Sequence, residues 1–232
     1  MKMTKVSKLL FAAGLVLSSI AVANAQSKFE GAYGQIGIGY ESINPSFSSG
    51  GLSIGGVGTV PISTTVSTSS GFTGALGVGY YASLSKDFLL GLGVEYDPLN
   101  SSSANYTYGI NGYGTVTGSY KKQNAYNIFL SPATPIGTDG LLYGKVGYTG
   151  ASIQATDNGG SAQTTNYTGY SLGLGYKQLI QGGLYAFGEV NYMSYGNVTN
   201  TYSGKVSTYT YSYSNTSSAN TFNALIGVGY KF

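Results

Sequence analysis

The stretch FTGALGVGYYA, residues 72–82, places Phe72, Leu76, Val78, Tyr80 and Ala82 on one side of an extended chain. Thr73, Ala75, Gly77, Gly79 and Tyr81 fall on the other side. It reads as a strand with one apolar face. The same alternation returns at 32–41, 88–97, 125–131, 142–149, 168–177, 184–193 and 222–232. Eight strands of about 9–11 residues match the length a tilted strand needs to cross a bilayer.

The connections alternate as well. Those at 83–87, 132–140 and 178–183 are short, whereas 42–70, 98–124, 150–167 and 194–221 are long. Short turns on one side and long loops on the other are the layout of a transmembrane barrel. Aromatics mark both edges of the apolar face. Tyr40, Phe72, Tyr96, Tyr126, Tyr148, Tyr170, Tyr192 and Phe222 lie toward the outer ends, and Tyr80, Phe88, Tyr176, Tyr230 and Phe232 toward the inner ends. In the strands at 72–82, 88–97 and 222–232 two of them stand eight residues apart, as Phe72 and Tyr80 do, a height of roughly 20 Å once the strand tilts. That spacing fits aromatic girdles at the two membrane interfaces.

A soluble sandwich would also alternate, but its polar face would be wetted and carry lysine and glutamate freely. Here the second face is mostly glycine with Tyr, Thr, Ser and Asn, which suits a narrow lumen where small residues make room for bulky neighbours. Composition agrees. Charged residues are 8% of the chain, against roughly 25% in ordinary soluble domains. There are 37 glycines and 23 tyrosines, and the mean hydropathy is only +0.03, too low for a helical membrane protein. The expected fold is therefore all-β, an eight-stranded antiparallel up-and-down transmembrane β-barrel.

Residues 1–25 read as a signal peptide: Lys2, Lys5 and Lys8, an apolar run over 9–22, and Ala23-Asn24-Ala25 before Gln26. The barrel domain is then 26–232. Removing three of the eleven basic residues leaves eight against eight acidic ones, so the exported chain is neutral and nucleic acid is not an expected partner.

A chain of eight such strands closing on Gly227-Val228-Gly229-Tyr230-Lys231-Phe232 resembles the small outer-membrane β-barrels of Gram-negative bacteria, the OmpA-like, OmpX-like and opacity-type proteins. The resemblance implies outer-membrane lipid as the surroundings, a monomer, and an assembly signal at Gly227, Gly229, Tyr230 and Phe232 read by the barrel-assembly machinery. Unlike OmpA itself, the sequence stops at the barrel, so a peptidoglycan-binding domain is not expected.

Chemistry is poorly provided for. Enzymes of such barrels, by resemblance, use histidine as base, and this chain has neither histidine nor cysteine. GIGYES, GVGYYA and GLGYKQ imitate a dinucleotide fingerprint, but no helix is expected to follow them. No catalysis, cofactor or metal is expected. By parity Glu41, Glu95, Glu189, Lys145, Lys177 and Lys231 face the lumen, three of each sign, and pairing is expected because a lone enclosed charge is costly. Tyr33, Tyr81, Tyr143, Tyr185, Phe129, Phe187, Leu89 and Leu225 also point inward. The segments 42–70, 98–124, 150–167 and 194–221 could bind an extracellular glycan, matrix or phage ligand. TYTYSYS at 208–214 fits equally a hairpin that simply continues above the membrane. The expected role is surface interaction, adhesion or membrane integrity. The rival is a narrow porin-like channel, favoured by gaps at inward glycine pairs such as Gly77 and Gly79, Gly91 and Gly93, and Gly173 and Gly175.

Overall fold

A computed structural model describes residues 27–110, 112, 114–157, 160 and 162–232; the signal-peptide reading of 1–25 lies outside them. None of the described residues is helical, and they form eleven strands. They are β1 (Gly31–Ile54), β2 (Gly58–Val60), β3 (Ile62–Val66), β4 (Ser69–Ser85), β5 (Phe88–Asp97), β6 (Ala104–Ile110), β7 (Gly114–Ile136), β8 (Gly140–Asp157), β9 (Gln163–Gln181), β10 (Leu184–Val206) and β11 (Tyr209–Lys231).

Eight of them close a ring. β1 pairs antiparallel with β4 and β11, and the circuit runs through β5, β7, β8, β9 and β10 with every ladder antiparallel. Closure satisfies each peptide group laterally and leaves no edge at membrane depth. The alternation follows the reading of the sequence. Along β5 the burial pattern is strictly two-fold, with Leu89 0% exposed inside and Leu90, Leu92 and Tyr96 facing out. Phe72 is 81% exposed and Ile38 65%, tolerable for apolar groups only against hydrocarbon.

The outer connections depart from expectation. Segments 42–70, 98–124, 150–167 and 194–221 are not loops but mostly strand. β10 and β11 continue as one hairpin to Val206 and Tyr209, β1 runs to Ile54, and β6 and β3 add to the start of β7, widening the sheet above the barrel. The hairpin reading of TYTYSYS is the one observed. The reason is backbone accounting: ladders already formed in the barrel template their own continuation, so Ser, Thr and Tyr, good strand residues, extend the sheet into water.

Three strands carry a bulge as they leave the barrel: β1 between Ser49 and Leu52, β7 between Gln123 and Tyr126, and β10 between Tyr195 and Val198. Each inserts one residue and exchanges the inward and outward sets above it.

Candidate functional site

The interior divides into a filled lumen and a hollow outer chamber. The filling begins below the first strand, where Phe29 turns into the barrel, 4% exposed, and packs with Tyr33, Tyr81, Leu89 and Leu141. Six lumen rings, those of Tyr33, Tyr81, Phe129, Tyr143, Tyr185 and Phe187, rest over a glycine of a neighbouring strand. A methyl placed on Gly91 would lie 2.6 Å from the Tyr81 ring, and Gly93, Gly79 and Gly175 sit under Phe129, Tyr33 and Tyr143 in the same way. The inward glycines therefore leave no gaps: aromatic rings from adjacent strands occupy the space over Gly79, Gly91, Gly93 and Gly175, Gln35 and Glu95 that over Gly77, and Asn191 and Lys145 that over Gly173.

Lys177 stands among those rings. Its Nζ is 3.7 Å from the Tyr33 ring centre and within 5.2 Å of those of Tyr81, Tyr143 and Tyr185. No carboxylate comes within ion-pair distance of it among the described residues, so the expected pairing of Lys177 is corrected to a cation–π cage. Ring faces carry negative potential and can surround an ammonium where a carboxylate would need its own solvation.

One layer higher, Lys145 Nζ donates to Glu95 at 2.5 Å and to Glu189 at 2.8 Å. Tyr143 donates to Glu189 at 2.7 Å, and Asn191 donates to Glu189 and to Asn223. Tyr185 donates to Gln35, which donates to Glu95. All these groups are buried, so the cluster is a desolvated, internally satisfied network rather than a wet constriction. The third layer is Glu41 paired with Lys122, with Asp97 3.6 Å from the same ammonium.

Lys122 was not among the expected lumen charges. Strict parity from Phe129 and Asn127 would turn Lys121 inward, but Asn124 adopts a left-handed conformation (φ 53°) at the β7 bulge and Lys122 turns in instead. The balance of three against three is thereby replaced: Lys231 is only half-buried at the periplasmic mouth and joins no ion pair among the described residues, and Lys122 takes its place. The girdle aromatics Tyr40, Tyr96, Tyr126, Tyr148, Tyr170, Tyr192 and Phe222 at the outer ends, and Phe88, Tyr176, Tyr230 and Phe232 at the inner, are exposed on the outer face, with Tyr80 partly covered. Gly227 and Gly229 of the closing strand sit under Phe187 and Tyr185.

Above the ion pairs lies a cavity of about 650 Å³. Its walls are two sheets. One is formed by the upper parts of β1, β10 and β11 with β2; the other by β3, β6 and the upper parts of β7, β8 and β9. They separate because the β9–β10 ladder ends at Gly169 and Tyr195 while both strands continue. Ile43, Tyr167 and Ala219 form the floor. Tyr106, Tyr108, Tyr202, Tyr211 and Tyr213 face the cavity with Leu52, Ile110 and Ile153. Tyr106 donates to Asp157; burial and that carboxylate hold its phenol well above the ordinary range. In the sequence these segments have the composition of polar loops, and the tyrosine alternation in 208–214 is the signal of a strand there.

A closed ring of lipid-facing strands around a filled lumen defines an integral β-barrel of the bacterial outer membrane. The chain belongs to the outer membrane protein beta-barrel domain family, whose model matches residues 10–232. Among solved structures it is similar to the outer membrane protein OprG of Pseudomonas aeruginosa, at 16% identity over 89% of this chain and 99% of that one, with a TM-score of 0.52. It is also similar to Ail, the attachment invasion locus protein of Yersinia pestis, solved with the heparin analogue sucrose octasulfate (15% identity, 88% and 99% coverage, TM-score 0.42). These likenesses concern the fold. Among curated proteins none matches the chain.

Proposed function

We propose that this outer-membrane barrel works through its outer extension, which contacts molecules at the cell surface, while the membrane-spanning part is a closed anchor. One observation carries the reading: the lumen is occupied from Phe29 up to the Glu41–Lys122 pair, whereas the large cavity opens at the outer end. An eight-stranded ring is just wide enough to be filled by its own side chains. The exposed aromatics at the two ends of the apolar band suit the interfaces of the membrane, and the terminal Tyr230 and Phe232, packed edge to face at 5.3 Å, stand free on the outer surface where assembly machinery could read them.

Single-channel recording from purified protein in planar bilayers tests the reading. Silence is expected. A steady conductance that changes on substituting Glu95 or Lys145 would make the lumen a pore and end it.

A further inference from the structure

The outer chamber has a composition that selects among ligands. Its volume of about 650 Å³ lies in the range of pockets that enclose small molecules, roughly 300–1,000 Å³. Aliphatic side chains and tyrosine rings supply most of its surface, so a ligand must bring an apolar body to displace water there. Among the described residues that line it, Asp157 is the sole charged group, and no lysine reaches the walls. An anion entering would meet a carboxylate and no cation, a desolvation cost with nothing to offset it. A cation would meet a carboxylate and several ring faces.

A second observation is independent of the cavity's shape. The Thr64 hydroxyl, on the β3 wall, is buried and has no hydrogen-bond partner among the described residues. Buried hydroxyls are seldom left so. Its neighbours along β3, Ile62 and Val66, line the same wall, so the hydroxyl is a single polar point in an apolar strip.

We infer that this two-sheet chamber binds a small, largely apolar molecule, neutral or singly cationic, that offers one hydrogen-bonding group to the Thr64 hydroxyl, which a rotation about the Cα–Cβ bond turns from its covered position into the chamber. The inference rests on the reading that the outer extension is the working part, and it names the ligand class for that extension. Strongly anionic ligands are excluded from the chamber by charge, since its walls offer a carboxylate and no cation.

The test uses the full barrel in lipid nanodiscs and three naphthalenes of similar size: 1-naphthol, (1-naphthyl)methylamine, which is cationic at neutral pH, and 1-naphthoate. Calorimetric titration, corrected with empty nanodiscs, should show saturable binding of the first two and at least about tenfold weaker binding of naphthoate. Thr64→Val should weaken 1-naphthol by about 2–10-fold and leave unsubstituted naphthalene unchanged. Asp157→Asn should lower the affinity of the amine relative to the naphthol. Ala155→Trp, or Val66→Trp if the first fails to fold by heat-modifiable gel migration, should fill the chamber and remove saturable binding. Absence of saturable binding, naphthoate binding as well as naphthol, or wild-type binding in folded filling variants would each overturn the inference. The conductance of the same preparations keeps the two readings apart. Silent bilayers without naphthol binding end only the ligand assignment; a steady current with naphthol binding ends only the closed-anchor reading.

Discussion

The lumen and the outer chamber share six strands, β1 and β7 to β11, which continue from one into the other, yet one is solid and the other hollow. In the lumen, six large rings each have a glycine opposite them and the charges of Lys145, Glu95 and Glu189 are spent on one another. In the chamber, tyrosines face tyrosines across a gap: Tyr202 and Tyr213 stack at 6.2 Å on one wall, and Tyr106 and Tyr108 at 6.5 Å on the other. The difference lies in closure. Below Gly169 and Tyr195 the ladders run unbroken and hold the walls at one radius; above them the β9–β10 seam parts and the walls become two separate sheets. A fixed small radius forces side chains to interlock, and its loss permits a void.

The contrast can be broken most forcefully at Lys145. Lys145→Ala leaves two buried carboxylates unpaired and should cost about 3–5 kcal/mol of barrel stability, read as urea unfolding in lipid vesicles. Adding Glu189→Ala should recover part of that. Because Glu95 is held by the same ammonium, adding Glu95→Gln as well should recover more; a triple variant no more stable than the single one would sink the network. Lys122→Ala should likewise cost about 3 kcal/mol or more, whereas the adjacent Lys121→Ala should stay within about 0.5 kcal/mol. Equal effects at 121 and 122 would contradict the bulge.

Packing sharpens the comparison at intermediate size. Gly91→Val drives a methyl into the Tyr81 ring and should cost about 1–3 kcal/mol, while the larger Ala155→Trp, directed into the chamber, should cost less than that. The smallest effect is expected at the exposed periplasmic pair, Lys28 to Asp139 at 2.8 Å. Hydrogen bonds from Lys28 and Thr138 hold the Asp139 carboxyl below its ordinary value. A depressed native pKa stabilises above the unfolded value of about 3.9, and that contribution fades as pH falls through the native pKa. Asp139→Asn should therefore lower the unfolding midpoint slightly at pH 7 and converge with the parent protein near pH 2; a gap that widens on acidification would refute this.

Particular residues show where reading the sequence stops. Tyr33, Tyr81, Tyr143 and Tyr185 were legible as inward from period two, because lipid on one side and a narrow lumen on the other leave no freedom of register. That they converge on Lys177 was not legible, since β1, β4, β8 and β10 bring them from four places far apart in the chain. Lys122 was hidden for a local reason, the single extra residue at Asn124 that inverts the alternation. The chamber was hidden because Ser, Thr, Asn and Tyr serve as well in loops as in strands, and only the neighbouring ladder selects between them.

The amino-acid sequence by itself determined the strand alternation, the lipid-facing side and the eight-stranded ring, since a two-residue period between hydrocarbon and a crowded lumen admits one arrangement. The tertiary structure alone decided which charges meet, which lysine of the 121–122 pair turns inward, and that a cavity sits above a solid lumen. Those outcomes depend on bulges and on where ladders end, and both are settled by strands meeting across the barrel rather than by neighbours along the chain.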